Sequence, residues 1–279
     1  MTRKVMRVLC YAFLILVAFV MLYPLMWMVG CSFKSNNEIF TSISLFPRES
    51  TGWQAFTDGW KGNGQYTYTT FFYNTLVMVI PTVLLTLLST LITSFAFARF
   101  RFKGKKILFS LVIGTLLLPN EVLIVPRYIL FNRFGWLNSY LPFYIPAALA
   151  TYSFFIFMLV QFIRSIPFEL DEAAYIDGCN SFWTLLHVIL PLSKPALFSI
   201  VIFQFVWRWN DFFNPLLFVN SVSKYPVSIA LRMSIEAGET VTWNKNMAMS
   251  VVCMLPPVII YVAAQKYFVE GVTTSGLKG

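Results

Sequence analysis

The sequence predicts an all-α membrane protein, a polytopic helix bundle of six transmembrane helices with both termini cytoplasmic. Three observations carry that expectation. Hydrophobic residues make up 58% of the 279 and charged ones only 12%, too little polar surface for a soluble globule. Apolar runs of about the twenty residues that a helix needs to cross a bilayer recur along the chain. The basic residues gather in some of the intervening loops, and those loops are expected inside. A formal charge of +9 would suggest nucleic acid in a soluble protein; here it reads in part as positive-inside anchoring, and no nucleic-acid partner is expected.

Arg3, Lys4 and Arg7 precede the first span, residues 8–29. That run is too long for a signal peptide and lacks a small-residue cleavage site, so it is expected to be retained. The polar segment 33–71 sets Lys34, Arg48 and Lys61 against Glu38, Glu49 and Asp58 and reads as an external loop. Span 2, residues 72–98, runs into Arg99, Arg101, Lys103, Lys105 and Lys106 with no acid among them, which places that turn inside. Span 3, residues 107–125, is expected to be interrupted by Pro119 and Pro126, with Glu121 near its outer end; residues 127–139 read as a short external connection. Span 4 covers 140–162, span 5 covers 196–219, and span 6 covers 247–268, where Pro256 and Pro257 are expected to break the helix locally. Residues 221–245 form a polar external segment. Residues 1–279 are thus read as a single transmembrane domain.

The most informative stretch is a polar island between spans 4 and 5, residues 164–194. Ser165 is expected to cap a short helix that Pro167 helps to start, with Glu169, Asp171 and Glu172 at its positive N-terminus and Gly178 ending it. Ser181 is expected to cap a second helix running to Leu190, stopped by Pro191. On the first helix Leu170, Ala173, Ala174 and Asp177 share one face, and the two alanines would let another protein surface approach closely.

In this island Glu172-Ala173-Ala174, three residues, Gly178, nine residues and then Val188-Ile189-Leu190-Pro191 resembles the EAA loop of permease subunits of ATP-binding-cassette (ABC) importers. The family pattern has isoleucine where this chain has Val188. Trp209-Asn210-Asp211-Phe212-x-x-Pro215 is similar to a recurrent segment of the sugar-importing branch. Ala264-Gln265-Lys266-Tyr267-Phe268-Val269-Glu270-Gly271, followed by Thr273, Gly276 and Lys278-Gly279, is similar to the ends of the smaller permease subunits of carbohydrate importers. With Tyr23-Pro24 and Ser32-Phe33-Lys34, the likeness covers nearly the whole chain.

The resemblance implies a type I ABC importer permease fold in a bacterial cytoplasmic membrane, in contact with membrane lipid. It implies four kinds of partner: a second homologous permease, two ABC ATPase subunits, an external solute-binding protein, and a carbohydrate substrate. It also implies that Glu172, Ala173, Ala174, Asp177, Gly178 and Pro191 couple this chain to the ATPase. The segment 221–245, with Glu236, Gly238 and Glu239, is implied as a contact for the binding protein.

Arg208 and Asp211 stand three positions apart in the outer part of span 5 and could pair on a helix. An ionised group at bilayer depth costs about 2.5–3.5 kcal/mol on insertion scales, so both should face protein or a wet cavity. Arg208, Trp209, Asn210, Asp211 and Phe212 are therefore candidate lining of a translocation path, the aromatic faces suiting sugar rings. A headgroup-anchored helix end explains the same residues and remains open.

The sequence has no G-x-x-x-x-G-K-[ST] to cradle phosphates, no H-E-x-x-H and no G-x-S-x-G. This chain is expected to be non-catalytic and to bind no cofactor itself, with ATP and Mg on the partner ATPases. Cys10, Cys31, Cys179 and Cys253 lack metal-ligand spacing and are expected to be packing residues, and His187 is expected to pack or cap within the second island helix. An ion-coupled secondary transporter or channel is the alternative, but it leaves the EAA geometry unexplained.

Overall fold

The computed structural model describes residues 3–62, 65–236 and 242–276, with the backbone alone for residue 236 and residues 266–276. The described residues that form regular structure are helical. In chain order the first elements are α1 (Arg3–Cys31), α2 (Asn36–Thr41), α3 (Gln54–Trp60), α4 (Tyr68–Arg99), α5 (Lys105–Leu116), α6 (Asn120–Arg133), α7 (Leu141–Ala148), α8 (Ser153–Ser165) and α9 (Glu169–Ile176). A composite helix follows: α10 (Ser181–Thr184), a π turn over Leu185–Ile189, and α11 (Leu190–Leu192). Then come α12 (Lys194–Trp209), α13 (Phe213–Phe218), α14 (Val227–Glu236) and α15 (Trp243–Gly276).

Among the described residues, Arg3–Cys31, Tyr68–Arg99, Leu141–Ser165 and Trp243–Gln265 are each long and apolar enough to cross a membrane. Two bent pairs, Lys105–Leu116 with Asn120–Arg133 and Ser181–Leu192 with Lys194–Trp209, bring the number to six if each is one span.

The chain divides into two compact units, Met1–Phe71 with Val227–Pro256, and Phe72–Pro226 with Pro257–Gly279. In the first unit, α1 rises about 44 Å at 1.5 Å per residue, more than a hydrocarbon core of about 30 Å. Cys31 at its end is its buried residue, and the greasy side chains from Val5 to Val29 are largely exposed. Beyond α1 the chain is pinned by polar contacts. Buried Lys34 donates through Nζ to the carbonyls of Ser42 and Ser44, and Glu38 accepts from the Arg48 amide at 2.8 Å. Phe33, Trp53 and Phe56 form an aromatic cluster, the Tyr68 and Ser234 hydroxyls lie 2.9 Å apart, and the Asn36 side chain accepts from the Asn244 amide.

In the second unit α4, α8 and α12 supply the core. Leu91 and Phe95 of α4 pack with Phe155, Leu159 and Ile163 of α8 and with Leu197 and Ile200 of α12. Phe97, Ile156 and Val160 form a second cluster, against which Phe109 and Val112 of α5 pack. A polar seam runs through this apolar mass: Thr82, Thr86, Thr90 and Ser94 recur every fourth residue and are almost fully buried. Thr82 and Thr86 donate back to the carbonyls four residues earlier, Gln204 Nε2 donates to Thr86 Oγ1 at 3.0 Å, and Ser94 donates to the Ile156 carbonyl. Hydrogen bonds between helices serve as glue where lipid removes the hydrophobic drive for helices to associate.

The prolines behave differently from one another, and the fate of the freed carbonyl accounts for it. Pro81 sits inside α4 without ending it, because the Val77 carbonyl it cannot serve accepts from the Tyr144 hydroxyl instead. Pro119 does break the expected third span: α5 and α6 meet at 106°, since a proline disfavours helical backbone in the residue before it. Residues 127–133, expected as an external connection, belong to α6, and Pro126, expected to interrupt the span, lies within that continuous helix. The fourth span is interrupted at residues 149–152, where Ala150 has φ +55° and Ser89 takes up the Ala147 carbonyl at 2.6 Å. The fifth stops at Trp209, ten residues before the expected end, and resumes as α13. Pro256 and Pro257, expected to break the sixth span, lie within continuous helix α15. Cys31 and Cys253 are buried as packing residues, whereas Cys10 is exposed on α1.

Candidate functional site

The polar island forms two helical pieces joined by a tight exit, and most of its caps differ from expectation. Ser165 is the last residue of α8 rather than a cap; the first turn of α9 starts from the Phe168 carbonyl, which accepts from the Asp171 and Glu172 amides. Asn180, not Ser181, caps the second piece, accepting from the Trp183 amide at 3.0 Å, while Ser181 bonds the Tyr175 hydroxyl at 2.8 Å. Pro191 does not stop the helix at Leu190. The turn ahead of it widens, so that Leu190 N–H reaches the Leu185 carbonyl, and the helix ends at Ser193. Pro191 has no N–H to complete the normal ladder, and a π turn absorbs that defect. His187 caps within this helix, its Nδ1 lying 3.2 Å from the Trp183 carbonyl and its ring 5.0 Å from the Trp183 ring.

Gly178 ends α9 as the sequence suggested. Its φ is +85°, its N–H meets the Tyr175 carbonyl at 3.0 Å, and the Cys179 N–H meets the Ala174 carbonyl at 2.9 Å. These are the two bonds of a Schellman ending, which requires a left-handed residue after the cap.

The face that α9 presents outward is not the face expected. Leu170, Ala173 and Asp177 are exposed, as are Glu172, Tyr175 and Ile176, but Ala174 is buried and points inward with Asp171. The outward face therefore carries one alanine of the pair. The inward face carries an acid, Asp171, whose place in the sequence explains it only as a helix-dipole residue. Asp171 Oδ2 lies 3.0 Å from Nη2 of Arg99, the last residue of α4, with both side chains less than a tenth exposed. Burial pushes the Asp171 carboxyl above its ordinary range, and Arg99 pulls it the other way. Arg99 also donates to the Ile166 carbonyl at 3.0 Å and lies over the Phe168 ring. In the sequence it marks only a positive-inside turn. The available signal was that Asp171 stands three residues before Ala174, on the same side of the helix.

At the end of α12, Arg208 and Asp211 do pair, Nη1 to Oδ2 at 2.7 Å. Arg208 also stacks its guanidinium 5.4 Å from the Tyr152 ring centre. Asn214 donates its side-chain amide to both Asp211 oxygens at 2.9 Å and its backbone N–H to Oδ1, so the acid starts α13. Asn210 is exposed and Phe212 half-buried. Trp209 cannot offer a face to a sugar from its position in this chain: it is 2% exposed, stacked on Phe205 and packed near Phe72. Gly238 and Glu239 lie outside the described residues. Glu236 is the last residue of α14, and its side chain is also outside them.

Comparison with known proteins bears on the whole chain. Residues 61–274 match the family model described as binding-protein-dependent transport system inner membrane component. The trehalose/maltose transport system permease protein MalG of Thermococcus litoralis is 31% identical over 278 residues, 98% of this chain and 97% of that protein. The diacetylchitobiose uptake system permease protein DasC of Streptomyces coelicolor is 31% identical, covering 93% and 92%. Among solved structures, a chain of a bacterial ABC transporter that imports the acidic polysaccharide alginate matches with a TM-score of 0.83 at 21% identity, over 96% of this chain and 99% of that one, which establishes a shared fold. A family match over most of the length, joined to an island whose glycine-ended helix turns Glu172 and Ala173 outward, identifies the chain as a member of the binding-protein-dependent transport system inner membrane component family.

Proposed function

We propose that this chain is the permease subunit of an ATP-driven, binding-protein-dependent importer of oligosaccharides, paired with a second permease in the bacterial cytoplasmic membrane. The observation that carries the reading is the exposed face of α9 and α10. Ala173 and Ile176 of α9 and Phe182 and Trp183 of α10 are exposed apolar side chains, and the acid Glu172 is exposed next to Ala173, on a loop whose Ile166 and Asp171 are reached by Arg99 of the basic turn. Exposed apolar surface of this kind marks a protein interface. Its occupant is an ATPase subunit, with Glu172 forming a charge-assisted contact to an arginine there. ATP and Mg are held by the two ATPase subunits. When they close on ATP, the island moves and the spans swing from inward-open to outward-open.

Oligosaccharide as cargo is supported by relatives named for trehalose and maltose, arabinooligosaccharides and diacetylchitobiose. Within the candidate path, Arg208 is already matched by Asp211 and Tyr152, so the ring faces and hydrogen-bonding groups of a neutral sugar suit this end better than an anion does. The test is uptake of labelled oligosaccharides by cells lacking this chain, complemented with the natural chain or with Glu172→Arg. Loss of uptake in the deletion, restored by the natural chain alone, is expected, with the Glu172→Arg complex failing to retain its ATPase on purification. Full uptake and full ATPase retention with Glu172→Arg would sink the docking reading.

A further inference from the structure

Helix α9 has eight residues, too few to hold its shape alone in water, and its inward face carries little apolar surface beyond Ala174. Its orientation must therefore come from what grips it. Three contacts from one side chain converge on residues 166–171, the segment by which the chain enters α9: the Arg99–Asp171 ion pair, the Arg99 bond to the Ile166 carbonyl, and the Arg99 guanidinium over Phe168. Arg99 is the C-terminal residue of α4, the helix that contributes Leu91, Phe95 and Phe97 to the core of its unit. A displacement of α9 is thus referred directly to a membrane-spanning helix, in addition to the covalent route through α8.

Resting on the reading that α9 docks on the ATPase, we propose that Arg99 is the positioning residue that makes α9 and α4 one mechanical piece, so that force received at the docking face reaches the translocation path through the Arg99–Asp171 clamp. A buried ion pair is seldom the most stable filling for its space; an apolar pair of similar volume is often as good or better. What the charged pair supplies here is a directional, multi-pronged grip that an apolar contact lacks. A guanidinium can bind a carboxylate, a carbonyl and a ring face together, which a lysine ammonium does less well.

The test uses the complete complex, purified through a tag on this chain and reconstituted with its binding protein. Removing one partner would orphan a buried charge, so the informative variant is Arg99→Met with Asp171→Leu, which fills the site without charge. Three quantities are read: ATPase subunits retained, ATP hydrolysis stimulated by binding protein, and substrate moved per ATP hydrolysed. The expected result is full retention of the ATPase with substrate moved per ATP reduced about tenfold, the scale of an ordinary coupling free energy. Arg99→Lys should recover part of that ratio relative to the double variant. A natural ratio in the double variant would overturn the proposal. So would loss of the ATPase from it, because the pair would then shape the docking surface rather than carry force. If the natural chain itself retains no ATPase, the docking reading has failed instead, and the two failures are distinct.

Discussion

Arg208 and Asp211 hold each other at 2.7 Å across the point where α12 ends, and Asp211 in the same geometry receives the Asn214 amide in the first turn of α13. One carboxylate thus neutralises a cation and holds an amide in the first turn of the next helix. Arg208→Ala should cost about 2–3 kcal/mol, because a largely buried acid loses its charge partner. Arg208→Met with Asp211→Asn should cost about 1 kcal/mol or less, since the side chain at 211 keeps an acceptor for the Asn214 amide and no charge is stranded. Thermal unfolding of the purified protein in detergent measures both. A double variant as unstable as the single one would show that the pair is not coupled.

The opposite orientations of Ala173 and Ala174 give a second test. Ala174→Leu pushes a larger side chain into the buried side of α9 and should destabilise by about 1–3 kcal/mol. Ala173→Leu, on the exposed side, should leave stability within about 0.5 kcal/mol and weaken ATPase retention on purification. If both alanines faced the partner, as the sequence alone suggested, the two variants would behave alike.

How much of this was readable beforehand depended on whether the signal was local. The apolar stretches, the glycine-ended island helix and the Arg208–Asp211 pair announce themselves within a few residues. The breaks do not. Pro81 and Pro119 look equivalent in sequence, yet Pro81 is tolerated because Tyr144, 63 positions away, serves the Val77 carbonyl. The Arg99–Asp171 clamp was hidden for the same reason. Each residue had an adequate local explanation, one as a topology signal and the other as a helix-dipole acid, and only the fold brings them together.

Gly178 and Gly104 share a backbone conformation, φ +85° and +84°, and an added Cβ would meet open space at either. Alanine at either position should therefore cost about 1–2 kcal/mol from backbone strain alone. The consequences should differ. Gly178→Ala disturbs the Schellman ending, so hydrogen exchange at the Cys179 amide should accelerate and transport should fall. Gly104→Ala, at the start of α5, serves as the strain-matched control and should leave transport near normal. Equal losses of transport would assign the effect to strain in general rather than to the turn at Gly178.

Asn138 was not singled out by the sequence, yet it ties two distant loops of its unit together. Its φ is +55°, its Oδ1 accepts from the Asn220 and Ser221 amides, and its Nδ2 donates to the Ser221 hydroxyl at 2.9 Å. Its own N–H reaches the Phe218 carbonyl at 2.7 Å, and its carbonyl accepts from Lys224. Asparagine suits the position doubly, tolerating left-handed backbone while its amide imitates a strand partner. Asn138→Gly keeps the conformation and removes the side-chain bonds; Asn138→Ala removes the bonds and adds strain. Alanine should therefore be the worse of the two by about 1 kcal/mol in thermal unfolding. Both should speed hydrogen exchange at the Asn220 and Ser221 amides by about tenfold, since those donors lose the same acceptor. Unchanged exchange at those two amides in the glycine variant would mean that the loop at 219–225 is held by Asn74 and Tyr140, whose side chains bond the carbonyls of Ser223, Tyr225 and Lys224.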